Sequence, residues 1–151
     1  MVLKDDSPGV IDFQDAVIGP ITYDLVSLLR DCYIARPQQQ VELWMTQYYQ
    51  RLMRAKLITC NPVQFKRWFD LMGMQRHLKA IGIFSRLHLR DGKSNYLNDI
   101  PRTLNYVTTV CAIYPELVEF SDFLQDHVLS ANAILCSFPK QEGRGEELIT
   151  L

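Results

Sequence analysis

The chain has 151 residues, of which 48% are hydrophobic and 22% are charged, and its formal net charge is -1 at pH 7. This composition excludes a chain that is disordered throughout, and the charge does not indicate a nucleic-acid or membrane partner. No apolar run approaches about 18 residues and the first residues lack the basic and apolar regions of a signal peptide, so we expect no membrane-spanning helix and a cytoplasmic protein.

The first residues have a different pattern from the rest of the chain. Two short β-prone runs, Val2-Leu3 and Val10 to Phe13, flank a segment that contains Pro8-Gly9. Proline presets φ and glycine tolerates positive φ, so this segment predicts a turn and residues 1–13 a β-hairpin. Since a two-stranded hairpin is not stable alone in water, it must pack on a larger body.

Residues 22–137 have helical periodicity, which predicts a mainly α-helical subdomain. The first helix follows Thr22, a potential N-cap, and Pro37 is expected to end it. The second carries an apolar stripe from Val41 to Met53. The third opens at Asn61-Pro62, an N-cap followed by proline in the first turn, and extends to about His88, with a possible break near Gly73 or Gly82.

A turn at residues 91–95 separates these helices from two more. Pro101 opens one that extends to about Ile113, and Pro115 opens the last, which extends to about Cys136. We expect residues 139–151 to form a poorly ordered tail. The predicted organisation is therefore one partial lobe over residues 1–138, consisting of hairpin and helical subdomain, with the tail behind it.

The cysteines and histidines do not predict a metal site. The four cysteines are at least 25 residues apart in sequence and form no CxxC pair, so we interpret them as buried free thiols (Cys32, Cys60, Cys111 and Cys136). The three histidines form neither an HExxH nor an HxH pattern, which argues against zinc (His77, His88 and His127).

The aspartates around the end of the hairpin are the sharpest candidates for chemistry. Asp12 ends an apolar strand, where a rigid element would hold a carboxylate within reach of a ligand. Hard oxygen ligands of this kind suit Mg²⁺. Aspartates at strand ends are also common in turns, so the position alone leaves both interpretations open. Asp24 follows at the entry of the first helix, where the helix dipole favours a carboxylate.

The segment from Gly9 to Leu25, with its Ile11-Asp12-Phe13 strand and later Asp24-Leu25, resembles the metal-binding motif of the aminoglycoside phosphotransferase family, a branch of the protein-kinase-like fold. The resemblance implies that Asp12 binds Mg²⁺ bridging the phosphates of ATP. It implies that Asp24 braces the catalytic loop by hydrogen bonding. Asp15 either supports the metal or substrate site or merely caps a loop.

Further runs resemble one bacterial subgroup, the anomeric N-acetylmuramate/N-acetylglucosamine kinases of cell-wall sugar recycling, over roughly residues 1–125. The runs are Phe13 to Ala16, Tyr23 to Tyr33, Gly73 to Leu87, and Arg90 to Leu97. The resemblance implies transfer of the γ-phosphate of ATP to the C1 hydroxyl of an amino sugar. The choice of sugar is less firmly implied.

The third predicted helix also carries a basic stripe. Residues 62–93 contain seven Lys or Arg and two Asp, and four of the cations fall on one side of an unbroken helix (Arg76, Lys79, Arg86 and Arg90). In a cleft, this stripe would attract phosphate or carboxylate groups. Alternatively, it is a solvated face or pairs with the acidic helix at residues 116–126. Gln75, Arg76, His77 and Arg90 are the candidate substrate contacts, with His77 otherwise a core residue.

The aromatic side chains of the second and third helices fit core stripes, although an exposed ring could stack on a sugar. They are Trp44, Tyr48, Tyr49, Trp68 and Phe69.

The catalytic-loop pattern H-x-D-x-x-x-x-N is absent, and so is GxGxxG. We therefore expect the chain to be the C-terminal part of a sugar kinase, partnered by a missing N-terminal lobe and a small sugar, and inactive alone. Two alternatives remain. One is a non-catalytic binding or regulatory module of the same fold. The other is an unrelated helical protein whose basic stripe binds an anion or nucleic acid.

Overall fold

A computed structural model describes residues 16–129, so the predicted hairpin and tail lie outside the described residues. Within that range every regular element is helical, in the order α1 (Tyr23–Leu29), α2 (Gln38–Arg54), α3 (Pro62–Asp91), α4 (Ile100–Cys111) and α5 (Val118–Leu124). Two 3₁₀ turns and a π-helical turn complete it, at Ser94–Asp99, Pro115–Leu117 and Gln125–Leu129. The predicted mainly helical lobe is thereby confirmed.

The chain divides into two compact units between Tyr106 and Val107. In the first unit, α1, α2 and α3 meet in two apolar clusters (Val26, Leu29, Val41 and Phe69; Leu52, Cys60 and Phe65). Burial of each of the larger apolar side chains in these clusters stabilises the fold by about 1.5–3 kcal/mol. In the second unit, Val110, Cys111 and Leu124 are buried and the rings of Phe120 and Phe123 stack with centroids 6.3 Å apart.

The start of α3 agrees with the sequence prediction, and its end lies three residues beyond the predicted one, at Asp91 rather than at about His88. Asn61 Oδ1 accepts a hydrogen bond from the backbone N–H of Gln64 at 2.8 Å, and Pro62 occupies the first turn, so the predicted cap is confirmed. At the other end, Gly92 adopts the left-handed conformation at φ 65°, and its N–H donates to the carbonyl of His88. Glycine takes this conformation without steric cost, which stops the helix there.

The possible break near Gly73 or Gly82 does not occur, because α3 is one helix of 30 residues. A glycine inside a helix costs only about 1 kcal/mol relative to alanine, which the packing of the rest of the helix can offset. Gly73 is buried against α1: a Cβ there would meet Val26 Cγ2 and Arg30 Nη1, each at 3.5 Å.

The predicted extent of α1 is wrong, because the helix ends at Leu29 rather than near Pro37. Asp31 Oδ1 accepts hydrogen bonds from the backbone N–H groups of Tyr33 and Ile34, at 2.6 and 2.9 Å, and this local turn competes with further helix. Thr22 occupies the N-cap position, but its hydroxyl donates to the carbonyl of Trp68 at 3.4 Å and makes no cap bond.

The cysteines of the described residues are free thiols. Cys60 and Cys111 are buried and Cys32 is half-buried, whereas Cys136 lies outside residues 16–129. A search of the described helices for one both long and apolar enough to span a membrane finds none.

Candidate functional site

A buried cluster of charges ties α1 to α3. Arg30, the residue that ends α1, donates from Nη2 to Asp70 Oδ1 at 2.7 Å. Lys66, one turn earlier in α3, donates to Asp70 Oδ2 at 2.7 Å. The Asp70 side chain is fully buried and that of Arg30 is nearly so, whereas Lys66 is part-exposed. The carboxylate therefore has a charge-assisted partner on each oxygen, which buried charges require.

The Arg30 guanidinium is fixed on several sides. Its central carbon lies 4.7 Å from the ring centroid of Phe69, a cation–π contact. Its Nη1 is buried, and among residues 16–129 that atom has no hydrogen-bond partner. Gly73 of α3 faces this nitrogen, and a Cβ there would lie 3.5 Å from it. Arg30 is thus held in place in the interior, and its Nη1 is a donor without an acceptor among residues 16–129.

His77 binds the backbone of Arg30 at the end of α1. Its Nε2 donates to the carbonyl oxygen of Arg30 at 2.9 Å, and its ring stacks on Tyr106 with centroids 4.7 Å apart. Burial lowers the pKa of His77, and the charges of Arg30 and Arg76 act in the same direction, while the bond to the Arg30 carbonyl opposes them. The imidazole is therefore held neutral at the junction of α1 and α3.

The loop after α1 is anchored by a residue 70 positions later. Arg102 Nη1 donates to the carbonyl oxygens of Cys32 at 3.1 Å and Tyr33 at 2.6 Å. Burial raises the pKa of the Cys32 thiol, an effect that its hydrogen bond with Thr103 partly opposes. A thiol that resists ionisation is a poor nucleophile, which argues against a nucleophilic role for Cys32.

A cavity of about 310 Å³ opens between this loop, α1 and α2. Three leucines of α1 form its apolar wall, and the polar part of its lining comes from Arg36, Gln47 and Arg51 beside Trp44 and Tyr48. The Arg36 guanidinium carbon lies 5.5 Å from the Trp44 ring centroid. Since no acidic side chain contributes to the lining, the cavity is electropositive.

A second cavity of about 460 Å³ lies at the start of α1. Pro20, Ile21 and Thr22 line one side, and Trp68, Leu71 and Met72 of α3 the other. It contains no charged lining residue, so it offers a ligand little besides apolar contact.

The residues predicted for the site are not gathered in one place. Asp12 and Asp15 lie outside the described residues, and Asp24 is exposed in the first turn of α1. Gln75 is exposed, whereas His77, two residues later and about 200° around the helix, is buried.

The residues of the basic stripe are not gathered in one place either, because they lie far apart along α3. The half-buried Arg76 has its guanidinium carbon 4.2 Å from the Tyr23 ring centroid. Arg90 is exposed and bonds to its neighbour Asp91 at 2.7 Å. Arg76 and Arg90 are about 21 Å apart along the helix axis, at 1.5 Å per residue. One small ligand does not span that distance.

The described residues contain no group of three His, Cys, Asp or Glu side chains that could hold a metal ion. Asp12, the predicted metal ligand, lies outside the described range.

Sequence reasoning missed the charged residues of the buried cluster and the arginines of the first cavity. Asp70 stands inside the apolar stripe of α3, four residues after Lys66, and that spacing is a signal that could have found it. Its pairing with Arg30 joins positions 40 residues apart, which no local pattern shows.

Comparison with known proteins gives one consistent result. Residues 1–57 match the model of the phosphotransferase enzyme family (APH). The chain is 44% identical over 128 residues to the N-acetylmuramate/N-acetylglucosamine kinase of Pseudomonas putida. This alignment covers 84% of this chain and 38% of that protein. The proteins of the same name from Neisseria meningitidis and Pseudomonas aeruginosa are 48% and 42% identical over 118 and 125 residues.

Those two alignments cover 78% and 82% of this chain, and 35% and 37% of the relatives. The chain thus spans little more than a third of the length of these curated relatives. No solved structure matches it.

Proposed function

We propose, from the match of residues 1–57 to the phosphotransferase enzyme family and from the similarity to the kinases named above, that this chain is the helical lobe of an ATP-dependent kinase that phosphorylates the C1 hydroxyl of an amino sugar. N-acetylmuramate and N-acetylglucosamine are the proposed acceptors. The observation that carries the proposal is the identity of 42–48% to kinases named for these two sugars, over most of the chain.

In this proposal, Asp12 is the carboxylate ligand of Mg²⁺. A strand-end carboxylate is a hard oxygen donor of the type that Mg²⁺ prefers when it also binds substrate phosphates. Bound there, the ion would neutralise charge on the phosphates of ATP during transfer. Asp15 is proposed to support this region or to face the sugar.

Asp24 is proposed to brace the catalytic loop of the complete protein. Its carboxylate is exposed and has no hydrogen-bond partner among residues 16–129, so it is available to accept bonds from a neighbouring segment. The cluster around Arg30 and Asp70 holds α1 against α3 at the other end of the same short helix. A brace needs such a rigid support, because catalytic positions must be held to within a fraction of an ångström.

Among the residues of α3, Gln75, Arg76 and Arg90 are proposed as contacts to substrate or to neighbouring parts of the complete protein, as their exposed or half-buried side chains allow. His77 is proposed to position α1 through the Arg30 carbonyl rather than to touch the sugar.

A chimaeric enzyme tests the proposal. The matching 128 residues of the Pseudomonas putida relative are replaced by this chain, and the product is incubated with ATP, Mg²⁺ and each sugar. We expect formation of sugar 1-phosphate, and a loss of at least about a thousandfold on Asp12→Asn, since the metal ligand stabilises the transferred phosphoryl group. Asp122→Asn, at an exposed position of α5, is the matched control and should leave the rate unchanged.

A folded chimaera that transfers no phosphate to either sugar would contradict the proposal, as would full activity in Asp12→Asn. Binding of a sugar without transfer would favour the non-catalytic binding module instead. The 151-residue chain alone should form no product.

A further inference from the structure

The cavity between α1, α2 and the loop that follows α1 has the properties of a small-molecule site that sequence reasoning did not identify. Its volume of about 310 Å³ is at the lower end of the range for ligand pockets in proteins. That volume suits one substituted sugar ring rather than an oligosaccharide or a nucleotide.

The charge of the cavity selects an anion. Arg36 and Arg51 contribute to its lining, and no carboxylate does. Arg36 Nε is buried, yet within residues 16–129 no acceptor pairs with it. An unpaired buried donor is costly, so an acceptor that enters the cavity would satisfy a bond that the described residues leave open.

The aromatic residues keep this arginine in place. The Trp44 ring lies under the Arg36 guanidinium at 5.5 Å, a cation–π contact that restricts the side chain. Trp44 and Tyr48 are half-buried, so each presents part of its ring to the cavity. Rings of this kind supply the flat apolar surface on which a sugar face packs, while the planar guanidinium suits a carboxylate.

We infer that this cavity binds a carboxylate-bearing amino sugar, with the carboxylate at Arg36 and the ring against Trp44 and Tyr48. The inference rests on the proposed function for the sugar class and adds a residue that distinguishes an acidic from a neutral sugar. Arg36 is thus a specificity residue for the acid group.

Calorimetric titration of the 151-residue chain with three ligands tests the inference. N-acetylmuramate carries both ring and carboxylate, N-acetylglucosamine has the ring without the acid, and lactate has the acid without the ring. We expect N-acetylmuramate to bind at least about tenfold more tightly than either of the others, since a charge-assisted bond contributes that much. Arg36→Gln should remove the difference between the two sugars, and Arg54→Gln, an exposed arginine of α2 outside the cavity, should keep it.

Equal affinity for the two sugars, no measurable binding of N-acetylmuramate, or an undiminished preference in Arg36→Gln would each overturn the inference. If Arg36→Gln does not fold, the comparison of ligands on the unchanged chain still decides. Failure of phosphoryl transfer in the chimaera leaves this binding difference intact. Conversely, active transfer with equal binding of both sugars contradicts the inference alone.

Discussion

The Arg30 guanidinium and the Asp70 carboxylate, 2.7 Å apart and both buried, form an ion pair that joins the end of α1 to the middle of α3. The pair stands beside the apolar cluster that includes Phe69, whose ring the guanidinium covers. Two charges taken out of water are stable only while each keeps its partner. The loss of either charge should therefore lower the stability of the whole first unit.

Removal of the Asp70 charge should strongly destabilise the protein. We expect Asp70→Asn to lower the free energy of unfolding by about 3 kcal/mol, because it leaves the buried Arg30 uncompensated. Urea unfolding followed by circular dichroism measures this. Asp91→Asn removes the acid of an exposed pair and should leave the midpoint nearly unchanged. Equal midpoints for the two variants would contradict the prediction.

His77 should make stability depend on pH. Burial lowers its pKa in the folded protein, whereas the unfolded chain has the ordinary value of about 6.5. Below that value the unfolded state binds more protons than the folded state, so the free energy of unfolding should fall as the pH decreases from about 6.5 towards the lower folded pKa. At pH values well above 6.5, where the imidazole is neutral in both states, His77 should add no pH dependence.

Urea titrations between pH 7.5 and 5 measure this slope. In His77→Gln the slope should be smaller over that interval, although the variant is less stable overall. His88→Gln is the control, because His88 lies near the end of α3 and bonds to Ser94. A slope that His77→Gln leaves unaltered would show that other groups cause the dependence.

The cap of α3 should make a measurable contribution. Asn61→Ala removes the acceptor for the Gln64 N–H and should lower the free energy of unfolding by about 1 kcal/mol. Asn61→Asp keeps an acceptor at the same place and should stay within a few tenths of a kcal/mol of the original. Thermal or urea unfolding of the three proteins compares them, and a neutral Asn61→Ala would mean that the first turn frays.

The two glycines inside α3 allow a gain in stability. A Cβ at Gly82 would meet nothing within 4 Å, so Gly82→Ala should raise the free energy of unfolding by about 0.5–1 kcal/mol through helix propensity. Gly73→Ala should gain at least as much, because its Cβ would make ordinary van der Waals contacts with Val26 and Arg30 at 3.5 Å in addition. A loss of stability in Gly73→Ala, measured by urea midpoint, would contradict this packing argument.

Local signals predicted much of the fold. Asn61-Pro62 and Gly92 mark the ends of α3 through backbone chemistry that a few neighbouring residues determine. Pro101 likewise lies in the first turn of α4, whereas Pro115 opens the 3₁₀ turn that precedes α5. The end of α1 was not predicted, because Pro37 is an evident helix breaker while the turn that Asp31 makes with Tyr33 depends on one side-chain rotamer.

The candidate site depended far more on distant contacts. Arg30 with Asp70, and Arg102 with Tyr33, are pairs whose members are 40 and 69 residues apart, so no periodicity reveals them. The aromatic rings of α2 were noted as possible sugar platforms, but nothing local indicated that Arg36 would lie over Trp44. The positions implied by family resemblance, above all Asp12, stay predictions.

The anchorage of the loop after α1 by Arg102 bears on how the protein is made. The carbonyls of Cys32 and Tyr33 receive their partner from a residue that the ribosome adds about 70 residues later. During synthesis, α1 and its loop therefore reach their final arrangement only after α4 has emerged. Contacts so distant in sequence slow folding, so a nascent chain halted before residue 102 should be readily cut by proteases at this loop.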